Sequence, residues 1–198
     1  MAEPATSERI LNAALQSFAT RGYEATSLDA VANVLGIRKQ TILYWFPSKE
    51  ALLDAVIDRA ACDLASTLER TLERAGPGWE RIDAIVKSVF RLGARQPELL
   101  GLVREVSRLG PPPATRLMSQ LEPLVDRATG FLRAEMEAGT MRAAEPRHVL
   151  LAAYSMVIGM VTEVEVMRAL GEEPSARSLI KRRAELLRFL RSALAVPV

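Results

Sequence analysis

Apolar positions along this chain recur at helical spacing and β-branched runs are short, the pattern of amphipathic helices rather than strands. Leu11, Ala14, Leu15 and Phe18 form a first stripe, predicting a helix from its cap at about Ser7 to Thr20, ended by Gly22. Leu28, Val31, Ala32 and Leu35 fall at i, i+3, i+4 and i+7 and form a second. Ser27 caps that helix, Asp29 suits its positive end, and Gly36 ends it where a left-handed exit needs a residue without Cβ. A third helix begins near Arg38 and stops before Pro47. Ser48 caps a fourth, with Glu50 in its first turn, carrying Leu52, Leu53, Val56, Ile57, Ala60, Leu64 and Leu68 to about Ala75.

Beyond the break at Gly76-Pro77-Gly78, Ile82, Ile85, Val86, Val89 and Phe90 mark helix five, from Trp79 to Arg95. Pro97 opens a short helix six with Leu99, Leu102, Val103 and Val106, and Gly110 to Pro113 force a stiff turn. Helix seven spans about Ala114 to Ala138, with Pro123 inside it as a predicted kink. Helix eight runs from Pro146 to about Ala169, and helix nine from about Ser175 to Ala195. The fold class is therefore all-α with about nine helices. The predicted division is a three-helix head, 1–47, and a larger helical body, 48–198.

Two short helices around Ala32 and Gly36 can cross closely, as a helix-turn-helix requires, and that unit places its second helix in the major groove of DNA. Net charge is only +2, so no global basic field points to nucleic acid. The local pattern does: from Arg38 through Lys49 there are three cations and no acid. The single cysteine, Cys62, rules out an internal disulfide framework and fits a reducing cytosol. The longest uncharged run, Val149 to Thr162, has 14 residues, short of the ~18 or more expected of a membrane span. The N-terminus is polar and lacks the pattern of a signal peptide, so the expected location is cytoplasmic. No metal-ligand spacing and no Gly-rich loop after a strand appears, so neither cofactor nor metal nor enzymatic chemistry is expected.

From about Arg9 to Val56 the sequence resembles the DNA-binding domain of the tetracycline-repressor (TetR) family. The resemblance rests on Phe18, Gly22, Thr26-Ser27, Ala32, Leu35-Gly36, Thr41, Phe46 and Lys49-Glu50. The chain departs from it at Arg38, where the family commonly has Ser, at Leu43, where it has Tyr, and at Trp45, where it has His or Tyr. The resemblance implies a dimeric, ligand-responsive regulator, a repressor on a near-palindromic operator. Arg38, Lys39 and Gln40 are expected to face base edges, since Arg binds guanine and Gln adenine bidentately. Thr41, Tyr44, Trp45 and Lys49 are expected on backbone or nearby bases, and Ser27 on phosphate.

For the body the resemblance implies a dimer interface and an effector pocket. Small residues Ala152, Ser155 and Gly159 on helix eight, with Arg183, Leu187 and Leu190 on helix nine, are the interface candidates, although both stripes equally serve to close the chain's own core. Arg183 is a candidate partner for Glu163 or Glu165. Phe90, Val106, Met118, Leu121, Tyr154 and Met160 are the candidate lining for an apolar or amphipathic effector, with ordinary core packing as the other reading. A helical sensor or carrier of apolar molecules with little DNA binding is the alternative function.

Overall fold

The computed structural model describes residues 5–196. Among them ten helices run in order: α1 (Thr6–Arg21), α2 (Leu28–Leu35), α3 (Lys39–Trp45), α4 (Lys49–Arg74), α5 (Trp79–Arg95), α6 (Pro97–Leu109), α7 (Pro113–Glu137), α8 (Pro146–Thr162), α9 (Val164–Ala169) and α10 (Ala176–Leu194). The described residues contain no strand.

The chain packs as two compact units. The first joins residues through Leu64 to Glu98–Gln120, and the second joins Ala65–Pro97 to the chain from Leu121 onward. In the first, Ile10, Ala14 and Phe18 of α1, Val31 of α2, Ile42 of α3 and Leu52 of α4 are buried, while Leu11 and Leu15 of the predicted first stripe are half-buried. On the α4–α7 side of this unit, Arg116 is ion-paired with Asp58 at 2.6 Å and Asp54 at 3.3 Å. In the second, α5, α8 and α10 pack on one another around Val86, Phe90, Val157, Leu186 and Leu190.

Two boundaries differ from the sequence reading. The first helix starts before Ser7: Arg9 N–H already bonds to the Ala5 carbonyl at 3.1 Å, and Ala5 caps without a side chain. The eighth predicted helix breaks at Glu163, whose backbone closes α8 and opens α9. Val161, Thr162, Val164 and Val166 are β-branched, and Thr162 Oγ1 donates back to the Ile158 carbonyl at 2.9 Å, a bond that bends helices. The break makes ten helices of the nine expected. Pro123 lies within α7, which continues from Pro113 to Glu137.

Candidate nucleic-acid interface

The helix-turn-helix follows from local chemistry. Ser27 Oγ accepts the Ala30 N–H at 3.1 Å and caps α2, a bond of about 1 kcal/mol. Gly36 leaves α2 at φ 65°, and the next amide, Ile37, returns to the Ala32 carbonyl at 3.1 Å. Only glycine enters that left-handed turn without strain. Val31 and Ala32 of α2 and Ile42 of α3 are buried, which fixes the face α3 leaves outside.

That outer face carries Arg38, Gln40, Tyr44 and Trp45, all exposed, with Lys39 and Thr41 half-buried beside them. Tyr44 is 80% exposed and Trp45 47%, their rings in edge contact at 5.3 Å. Arg38 stands at the N-cap of α3, where its side chain makes no capping bond. Leu43 is half-buried, so the outward hydroxyl on this helix belongs to Tyr44. Lys39 Nζ is paired with Asp29 of α2 at 2.9 Å. Lys49 Nζ sits 4.1 Å from the centre of the Tyr23 ring and 3.4 Å from the Glu24 carbonyl oxygen. Ser48 Oγ accepts the Ala51 N–H at 3.0 Å and starts α4 next to this lysine. The Tyr23 hydroxyl donates to Glu50 at 3.3 Å, and burial, followed by the Glu50 charge, pushes its phenol up to about 12.

The resulting surface presents an arginine, a glutamine and two aromatics on α3, with lysines on either flank. The profile of the family described as "Bacterial regulatory proteins, tetR family" matches residues 10–56. The HTH-type transcriptional regulator RutR of Escherichia coli (strain K12) is 26% identical over 147 residues, 74% of this chain and 69% of that protein. Residues 10–56 belong to that tetR family of bacterial regulatory proteins.

Two solved structures share the fold of this chain. A bacterial regulatory protein in the tetR family from Rhodococcus RHA1 superposes with a TM-score of 0.79 at 19% identity, covering 98% of this chain and 100% of that one. AibR, solved in complex with isovaleryl coenzyme A and operator DNA, superposes with a TM-score of 0.78 at 18% identity, covering 92% and 96%. The matched segment contains most of α1, all of α2 and α3, and the start of α4, the elements just described. The chain is a DNA-binding regulator of transcription.

In the body the structure redistributes the candidates. Leu190 is 4% exposed and packs with Phe90 and Val157, and Leu187 rests on the same cluster. Leu190 is therefore a core residue rather than part of a surface a second copy can meet. Ala152 and Ser155 of α8 are exposed, and Gly159 and Arg183 half-buried. Glu165 pairs with Arg168 at 2.5 Å, its near neighbour on α9, rather than with Arg183.

Of the six effector candidates, Phe90 and Met160 pack on the cluster around Val157 and Leu186. Val106 is buried and Leu121 half-buried, while Met118, 52% exposed, and Tyr154 face outward and lose their place in an inner wall. Met160 also borders a cleft of about 300 Å³ with Met167, Glu172, Lys181, Arg182 and Glu185. Four of those residues are charged, while apolar atoms form most of the cleft's surface.

Sequence reading missed the residues that hold the head together. Tyr23, Glu24 and Glu105 carry no motif of their own, and Asp29 was read as a partner of the helix dipole rather than of Lys39. The one available signal was Tyr23 directly after the turn glycine Gly22.

Proposed function

We propose that this chain represses transcription by binding a near-palindromic operator as a homodimer and is released by an apolar or amphipathic small molecule. Residues 1–47 read DNA and residues 48–198 hold effector and partner. The observation that carries the reading is the outer face of α3, where Arg38, Gln40, Tyr44 and Trp45 stand exposed and no carboxylate intervenes. Arg38 and Gln40 read base edges, Lys39 joins them when Asp29 lets it go, and Thr41, Tyr44, Trp45 and Lys49 hold the backbone, with Ser27 beside a phosphate. Such a regulator acts in the bacterial cytoplasm and needs neither cofactor nor catalysis.

Dimerisation is supported by the outer face of α8, where Leu151, Ala152, Tyr154 and Ser155 are exposed in a run without a charge. A second copy covering it brings two recognition helices onto one side of DNA, roughly 34–36 Å apart. An amphipathic effector is consistent with the acyl coenzyme A ligand of AibR. It acts by shifting α4, which begins directly after the head, and only as far as it prefers one conformation over the other.

The test is a fluorescence-anisotropy titration against upstream DNA and duplexes selected from a random pool, at several salt concentrations. Selected duplexes should bind far above a scrambled control, with affinity falling steeply in salt. Arg38→Ala should relax preference at one base position by about 1–3 kcal/mol, and Lys49→Ala should weaken all duplexes alike and flatten the salt slope by about one. Equal losses on matched and scrambled DNA from both variants would refute this division of roles. Tight binding of an apolar ligand with no duplex selected would favour a sensor or carrier instead.

A further inference from the structure

Two residues one turn apart on α6 grip the end of α1. At Gly101 the helices touch: a Cβ there would lie 3.2 Å from Ala19 Cβ and 3.3 Å from the Ala19 carbonyl oxygen. At Glu105 the contact becomes polar. Its Oε1 accepts the Tyr23 backbone N–H at 2.7 Å, and the residue is only 9% exposed. Arg108 holds the same carboxylate by two bonds of 2.8 Å, one to each oxygen. Gly22 makes room: at φ 87° it turns the chain out of α1, and a Cβ there would stand 3.3 Å from Glu105 Oε1.

The amide that Glu105 accepts belongs to a short closed loop. Thr26 N–H bonds to the Tyr23 carbonyl at 3.1 Å, and Thr26 Oγ1 donates to the Gly22 carbonyl at 2.8 Å. The next residue is Ser27, the cap of α2. The Tyr23 ring lies under Lys49, and its hydroxyl donates to Glu50 at the start of α4. A charged group this buried is costly unless every lone pair has a donor, and Glu105 directs its lone pairs to one loop amide and one arginine.

We infer that Glu105 is a positioning residue for DNA reading: by holding the Tyr23 amide it sets α2, and through the Tyr23 ring it sets Lys49, so that α6 fixes how the helix-turn-helix is presented. The inference rests on the DNA-binding function proposed above. It makes α6 a direct route into the head, beside α4.

The experiment compares Glu105→Ala and Glu105→Gln in the full-length chain. Hydrogen exchange of the Tyr23 amide reads the contact without DNA, and anisotropy on a selected and a scrambled duplex reads its consequence. Glu105→Ala should speed Tyr23 exchange by about tenfold or more, with the α1 core amides unchanged. It should weaken the selected duplex about tenfold and leave the scrambled one within about threefold, because non-specific attraction depends on charge rather than placement. Glu105→Gln, which keeps an acceptor oxygen, should recover most of both losses. General destabilisation would instead lower both duplexes together and speed exchange throughout α1, and that result overturns the inference. So does an unchanged ratio of selected to scrambled binding in Glu105→Ala, or a Gln variant as impaired as the Ala one. If the wild-type chain selects no duplex, the regulator reading fails, and with it the role of Glu105 in DNA reading, while Tyr23 exchange still decides whether Glu105 holds the loop.

Discussion

Asp29 puts a negative charge beside the recognition helix. Its pair with Lys39 spans 2.9 Å, but the two side chains remain 63% and 42% exposed, so the pair is worth only about 0–1 kcal/mol. A phosphate can displace it. The carboxylate stays close to the DNA all the same, and part of the lysine's charge is spent on it. Asp29→Asn should therefore strengthen binding to all duplexes and steepen the salt dependence by up to about one counterion. The substitution costs the α2 dipole about 0.3–1 kcal/mol of folding stability, so affinity and thermal stability should move in opposite directions. Anisotropy across a salt series checks this, and an unchanged slope would mean that Lys39 never reaches a phosphate.

At the scale of single helices, α8 is the element with two apolar sides. Val157 is buried, and Ala153, Met156, Met160 and Val161 pack against the core around it. Leu151, 60% exposed, stands with Ala152, Tyr154 and Ser155 on the other side. An uncharged outer face of this kind marks an interaction surface. Leu151→Asp should convert the proposed dimer to a monomer in sedimentation experiments and weaken operator binding, with helix content unchanged. A Leu151→Asp chain that still sediments as a dimer would place the interface elsewhere. The same helix marks where sequence ceased to be legible. Helix α5 was read to its ends, Trp79 and Arg95, because Gly76-Pro77-Gly78 and Pro97 punctuate it. The break at Glu163 has no such punctuation and follows from β-branched crowding. A leucine stripe reveals that α10 has an apolar face but not what covers it, and here its own chain covers Leu186 and Leu190. The site divides similarly. The cationic run beginning at Arg38 was legible in the sequence, and the burial of Ile42 turns it outward. Glu105 was not, since the amide it holds lies 82 positions away.

Across the whole molecule, ionisation is distributed unevenly between the two units. The described carboxylates held below their ordinary range are Glu50, Asp58 and Glu105, and all three lie in the unit that contains the head. Glu50 is held down first by its own backbone amide and then by Ser48, Asp58 by Arg116 and then Gln120, and Glu105 by Arg108 and the Tyr23 amide. A carboxylate depressed in the folded state contributes stability that is fully present above its unfolded value. That contribution is lost as pH falls through the unfolded value towards the folded one. The ordinary values are 4.5 for the two glutamates and 3.8 for Asp58, so the head-containing unit should weaken first below about pH 4.5. The chain has two tryptophans, and the contact units divide them: Trp45 lies in the first and Trp79 in the second. Trp79→Phe leaves a reporter for the first unit, and Trp45→Phe leaves one for the second. On acid titration the Trp45 signal should change at a higher pH than the Trp79 signal. Coincident transitions would mean that the units unfold as one, and the reverse order would mean that these three carboxylates do not govern acid stability.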